Sequence, residues 1–255
     1  MRISAVFTSL ALLAGGVSGS RADDYWSGYL YLDHQYAGIR LFDNDKRYSA
    51  WSVNRSHLGG AIQYRLDACA VGLNVSETRH TSTMTSANSI GTDIAAEGGC
   101  RVGDLWIVGL GRYTKVNTSD WETRAYGGGL SYFVSDRLRM AVSAEQQRDS
   151  GAAPNEWMIY TARSSYFLTD DLLVSSSLEL DQSDVSRTYS LFSNIEYKLK
   201  DRPVSFYAGL IAGSNRTDGS DSHGHILGAQ AGVRFFFNDG SLKTILDNSI
   251  PDFGR

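Results

Sequence analysis

Past residue 22 this chain has no run of about 18 apolar residues, the minimum for a membrane-spanning helix, so none is expected. It has no basic excess either. Without Arg2 and Arg21, 22 Lys plus Arg face 28 Asp plus Glu, a net of −6, which argues against nucleic acid as a partner. No glycine loop follows a strand and opens a helix, so no phosphate cradle is indicated. Prolines number only three, against 26 glycines, 14 tyrosines and five tryptophans. That balance suits a long-stranded β protein better than a helical one.

Residues 1–22 stand apart. Arg2 gives a positive start, Ile3 to Val17 is a short apolar run, and Ser20-Arg21-Ala22 places small residues where a signal peptidase reads. This is the pattern of a cleaved secretory signal peptide, with the mature chain starting at Asp23.

Five short polar turns punctuate the remainder. With Asp67, Gly103, Asp136, Asp170 and Asp201 as markers, they recur at steps of 36, 33, 34 and 31 residues. Longer polar stretches lie between them, from Asp43 to Ala50, Thr81 to Ser89, Asn117 to Asp120, Asp149 to Asn155, Ser183 to Ser186 and Asn215 to Ser222. Each step is the length of one long hairpin and its loop. The punctuation predicts twelve strands near 25–37, 51–66, 69–80, 90–102, 105–116, 121–134, 138–148, 156–168, 172–182, 187–199, 204–214 and 223–237. Each is long enough for a tilted spanning strand.

Alternation supports that reading. In the ninth strand Leu172, Val174, Leu178 and Leu180 oppose Ser175, Ser177, Glu179 and Asp181, and the second and tenth alternate similarly. Arg112 falls on the apolar parity of the fifth strand, which calls for a bulge or a rim position there. Aromatics fall at both strand ends. Trp26, Tyr64, Trp106, Tyr132, Tyr166, Tyr197, Phe206, Phe235 and Phe237 lie beside the tight turns or the chain ends, with Trp51, Tyr113, Trp121, Trp157 and Tyr189 opposite. Two such belts are what membrane interfaces select. A soluble sandwich or lipocalin-like barrel competes, but it has no reason to sort aromatics to both rims.

The last strand ends Gln230-Ala231-Gly232-Val233-Arg234-Phe235-Phe236-Phe237. It resembles the closing-strand signal of bacterial outer-membrane β-barrels, the porin-like superfamily, in which a polar residue, a glycine and two apolar or aromatic residues recur at set spacing. The resemblance covers essentially the whole mature chain and points to no specific member. It implies one all-β domain over 23–237, an antiparallel transmembrane barrel with short periplasmic turns and longer outer loops. It also implies that the barrel-assembly machinery reads Gln230, Gly232, Phe235 and Phe237, and that outer-membrane lipid surrounds the wall. Residues 238–255 depart from the family, whose chains often end at the aromatic. Leu242, Ile245 and Leu246 have helical spacing there, and the expectation is a periplasmic tail.

Cys69 and Cys100 bracket the hairpin centred on Met84 and Thr85. That centre sets Cys69 opposite Cys100, on the lipid-facing parity. Two readings stay open: a disulfide, which requires a close non-hydrogen-bonded pair, or two small apolar residues on a greasy face. His34, His80, His223 and His225 fall at outer strand ends, where a solvated rim is a simpler reading than a metal site.

The inward parity collects Arg55, Arg65, Arg101, Arg139, Arg163, Lys198 and Arg234 with Asp33, Asp93, Glu97, Glu145, Glu179, Asp181 and Glu196. Equal numbers of each sign are expected to pair across a narrow lumen, lining a weakly selective passive channel for small solutes. No cofactor or metal is indicated, and no catalytic signature. Two rivals remain. One is a closed structural or surface-interaction barrel. The other is a rim hydrolase, which needs a Ser or Asp within hydrogen-bond reach of His34, His80 or His223.

Overall fold

The structure, a computed structural model, describes residues 25–43, 46–83, 88–117, 121–150, 155–218, 222–238 and 240–251. The expected signal peptide over 1–22, the start at Asp23 and the hairpin centre at Met84 and Thr85 lie outside the described residues.

Twelve antiparallel strands follow one another around a closed barrel. They are β1 (Tyr25–Asp43), β2 (Lys46–Leu66), β3 (Cys69–Ser82), β4 (Asn88–Val102), β5 (Leu105–Val116) and β6 (Glu122–Phe133). The second half comprises β7 (Leu138–Ser150), β8 (Asn155–Thr169), β9 (Leu172–Gln182), β10 (Ser186–Lys198), β11 (Val204–Thr217) and β12 (His223–Phe236). The ring closes where β1 pairs with β12, from Tyr29 opposite Phe236 to Phe42 opposite His223. Closure leaves no unpaired sheet edge, the condition a sheet must meet to survive in lipid.

The tight turns bend where the sequence permits it. Asp67 and Asp201 adopt positive φ, 51° and 56°, a conformation that a short polar side chain tolerates better than a branched one. Two-residue hairpins then join Leu66 to Cys69 and Val102 to Leu105. All these turns lie at one end of the barrel, hereafter the turn side. The first hairpin at the opposite end departs from expectation. In the expected loop from Asp43 to Ala50, Asp43 and residues 46–50 belong to strands: β1 and β2 run on to pair Asp43 with Lys46, through a register shift at Leu41/Phe42. A strand that outruns the apolar band needs no greasy face, so hydropathy did not mark it.

Period-2 alternation separates the two faces of the wall. The inward face is fixed by Ala70, Trp106, Val108 and Ala141, which pack around Ile250 from the C-terminal segment. Outward lie Leu32, Val71, Leu73, Ile94, Ile107, Leu130, Met140, Val142, Leu178, Leu191, Ile195, Leu210 and Leu227, all exposed. Large exposed apolar surfaces of this kind mark contact with a membrane or another protein.

The fifth strand reverses an expectation. No register shift interrupts its pairing with β4 or β6, so neither a bulge nor a rim position applies to Arg112. Its apolar parity, Trp106, Val108 and Leu110, faces the interior, and Arg112 faces inward with it. Trp106 is therefore absent from the turn-side belt and is 0% exposed. Trp51 and Trp157 share the inward register as well. Outward aromatics toward the far ends include Tyr36, Tyr126, Tyr160 and Tyr189, all exposed, with Phe42 and Tyr113 on the same face.

The segment after β12 folds back into the turn-side mouth. Ser241 caps a single-turn helix, α1 (Leu242–Asp247), by accepting a hydrogen bond from the Thr244 amide. Leu242 and Ile245 bury against Phe167, Leu173 and Phe236. Phe236 breaks the outward aromatic pattern of its strand because this helix gives it an inner partner. Burying an aliphatic side chain of this size contributes about 1.5–3 kcal/mol, and three of them, Leu242, Ile245 and Ile250, are buried here.

Candidate functional site

The interior of the barrel holds the groups capable of chemistry. Every cation and acid expected on the inward parity has inward register, from Asp33 on β1 to Arg234 on β12. Their heights differ in a way that alternation alone does not show. Arg65, Arg101, Arg139, Lys198 and Arg234 all lie within two residues of the turn-side end of their strands. Asp33, Asp93, Glu145, Glu179 and Asp181 sit deeper, seven or more residues in.

Two of the turn-side cations hold the C-terminal segment. Arg65 Nη1 donates to Asn248 Oδ1 at 2.6 Å, and Arg139 Nη1 donates to the Leu246 carbonyl at 3.1 Å. Gln63 Oε1 accepts from the Ile250 amide at 3.0 Å. From the turn between β8 and β9, Asp171 Oδ1 accepts from the Leu242 amide at 3.1 Å, and the Asp170 carbonyl from the Lys243 amide at 2.8 Å. The tail is thus a plug, hydrogen-bonded to three separate parts of the wall. Arg101 instead turns back to the Gly103 carbonyl at 2.8 Å and lies over the Phe133 ring.

Above the plug, opposite charges meet. Arg234 Nη1 lies 3.2 Å from Glu196 Oε2, with its guanidinium over the Tyr29 ring. Arg112, placed inside only by the structure, lies 3.6 Å from Glu145 and 4.0 Å from Asp93. Asp33 accepts from the Tyr207 hydroxyl at 2.9 Å, while its other oxygen lies 2.6 Å from His57 Nδ1. Gly232 permits that arrangement, since a Cβ there would stand 2.7 Å from Asp33 Cβ and 2.5 Å from the Tyr207 hydroxyl. The glycine of the closing-strand pattern therefore has a local packing reason to be glycine.

Of the other pattern residues, Gln230 faces inward and Phe235 and Phe237 are exposed. A disulfide joins Cys69 to Cys100. The Arg101 amide donates to the Ala68 carbonyl, so the adjacent Cys pair occupies a non-hydrogen-bonded site where side chains approach most closely.

Among the histidines, His223 stacks on Phe42 at 5.2 Å with His225 edge-on to both. His34 Nδ1 lies 3.0 Å from Ser56 Oγ on the outward face, which meets the distance the hydrolase rival requires. The surrounding amides are committed to the β1–β2 and β1–β12 ladders, leaving no donor pair for an oxyanion. No third side chain among the described residues hydrogen-bonds His34.

No protein-family model matches the chain, and no curated protein does. Solved structures do. The chain is similar to CymD, a monoaromatic hydrocarbon channel, at 8% identity over 83% of this chain and 89% of that one, with a TM-score of 0.55. A KdgM porin in complex with disordered oligogalacturonate aligns at 13% identity over 78% and 97%, with a TM-score of 0.48. An anion-selective porin from Comamonas acidovorans aligns at 10% identity over 84% and 99%, with a TM-score of 0.44. At such identities the likeness is one of fold alone, a closed antiparallel β-barrel.

Proposed function

We propose that this protein is a narrow passive channel of the bacterial outer membrane, admitting small solutes with weak ion selectivity, its turn-side mouth constricted by its own C-terminal segment. The observation that carries the reading is the inner wall, where charges of both signs pair: Arg112 with Glu145 and Asp93 at mid-height, and Arg234 with Glu196 beside a cavity nearer the turn side. Charged groups inside a membrane protein are costly and mark a pathway or pair with one another. A purely structural barrel could fill the same space with apolar side chains at lower cost. Pairing cancels most of the field that would select one ion sign. The plug supports low conductance, because it sits inside the turn-side mouth, bonded to Arg65 on β2, Arg139 on β7 and the turn between β8 and β9.

The outward band would face lipid and the tight turns the periplasm. Residues 1–22 would direct export, leaving Asp23 as the first residue. The assembly machinery would read Gln230, Gly232, Phe235 and Phe237. A mass spectrum of the membrane-extracted protein tests the first point, since a retained Met1 contradicts export by this segment. Reconstitution in a planar bilayer tests the function: small single-channel currents with a reversal potential near zero are expected. A large anion-selective current contradicts the charge pairing, and no current at all favours the closed structural barrel.

A further inference from the structure

A row of uncharged hydrogen-bonding groups crosses five strands of the inner wall. The register sets Ser165 of β8 opposite Ser175 of β9, and Ser175 opposite Asn194 of β10. It then sets Asn194 opposite Gly209 of β11, and Gly209 opposite Gln230 of β12. Gly209 makes the row continuous. A Cβ at that position would stand 2.6 Å from the Ser193 carbonyl oxygen and 2.8 Å from Asn194 Cγ. In its absence Gln230 Nε2 reaches across to donate to Asn194 Oδ1.

The row borders a cavity of about 190 Å³ that lies above the plug, with Tyr29, Phe167, Leu173 and Ile245 supplying apolar surface. Several charged neighbours are already engaged: Asp33 by Tyr207 and His57, Arg234 by Glu196, Arg139 by Ser131 and the Leu246 carbonyl. What the cavity offers a guest is therefore mostly amide and hydroxyl groups facing an aromatic and aliphatic floor.

Resting on the channel reading, we propose that this cavity binds a small uncharged polyhydroxylated solute, a monosaccharide in chemical class. Sugar hydroxyls donate and accept, as do Ser, Asn and Gln side chains, and the C–H face of a sugar ring suits an aromatic floor. A cavity of about 150 Å³ already takes benzene, so the volume accommodates one six-membered ring and little more. An anionic guest would be stripped of water beside carboxylates and engaged guanidinium groups.

Equilibrium dialysis of radiolabelled D-glucose against the folded, full-length mature protein in detergent tests the site, with D-glucuronate as the charged comparison. Heat-modifiable gel migration confirms that each variant is folded. Saturable glucose binding is expected, weakened at least threefold in Asn194→Ala and Ser175→Ala, with glucuronate binding no more tightly. No glucose binding by a folded barrel overturns the proposal. So does tighter binding of glucuronate, which would make Arg163 in the cavity lining the dominant group, or an Asn194→Ala protein that binds as before. Dialysis needs no conduction, which separates the two readings. A protein that binds glucose and passes no current loses only the channel reading, and one that conducts without binding glucose loses only this site.

Discussion

Arg65 Nη1 and Asn248 Oδ1 stand 2.6 Å apart, joining a wall strand to a segment 183 residues later in the chain. With Gln63 on the same strand bonded to the Ile250 amide, the contact makes β2 one side of a clamp on the plug. Deleting residues 240–255 should therefore raise single-channel conductance severalfold in a planar bilayer. Arg65→Ala alone should give briefer and rarer openings to the same level, because Gln63, Arg139 and Asp171 still hold the segment. Unchanged conductance after the deletion would show that the constriction lies elsewhere.

Trp106 reports on the same plug from within. It is fully buried beside Ile250. Ile250→Asp places a carboxylate in that apolar cluster, at a cost of several kcal/mol if the charge stays buried. The segment should leave instead, and the fluorescence emission of Trp106 should shift to the red while far-ultraviolet circular dichroism keeps its β signature. The four other tryptophans are best replaced by phenylalanine to isolate the signal.

The plug also explains what the sequence did and did not reveal. Strand number, closure and turn spacing follow from periodicity and punctuation, so they were legible. In β9 and β10 the outward face is apolar and the inward face is mostly polar, Leu173 and Phe192 excepted, so parity sorts them. In β5 that reasoning inverts, because Trp106 and Val108 are apolar for Ile250, which lies 144 residues beyond Trp106. Alternation reports that a face is apolar, not whether lipid or protein covers it. The spacing of Leu242, Ile245 and Leu246 was visible as a helix signal, while its partners Phe167, Leu173 and Phe236 come from two other places in the chain. The inward register of the expected charges was readable, but Arg112 was not among them, and their sorting by height requires each strand's end to be located.

The Cys69–Cys100 bridge closes a hairpin with a sequence separation of 31 residues. Under denaturing, non-reducing conditions, thiol labelling should find no free cysteine, and reduction should expose both. A crosslink of this loop length contributes roughly 2–4 kcal/mol by restricting the unfolded chain, so Cys69→Ser with Cys100→Ser should lower the urea midpoint of the detergent-folded barrel. Two freely labelled thiols would return the pair to ordinary apolar residues on an outward face.

Glu196 depends on Arg234. The carboxylate is largely buried, accepts from Ser205 and lies 3.2 Å from the Arg234 guanidinium. Removing one partner of a buried pair costs about 3–5 kcal/mol. Arg234→Gln should lower stability markedly, and adding Glu196→Gln should restore most of the loss. Urea titrations of the three proteins measure this directly. A double variant no better than the single one would mean that Arg234 acts mainly through its stacking on Tyr29.

Arg163 and Glu179 test whether the lumen conducts ions at all. Both have inward register, on β8 and β9, and they are diagonal neighbours, since Glu179 stands opposite Thr161 and Arg163 opposite Ser177. Each reversal changes the local charge by two units of opposite sign, so Arg163→Glu should move the reversal potential toward cations and Glu179→Arg toward anions. The shifts should shrink as salt rises from 0.1 M to 1 M, because the screening length falls from about 10 Å to about 3 Å. Both substitutions are best made with and without residues 240–255, so that a plugged lumen is not mistaken for an insensitive one. A pair of shifts with the same sign would point to a rearranged wall rather than to charge. Equal selectivity in all variants, with current still flowing, would place the conducting path away from this face and remove the paired charges as the basis of weak selectivity.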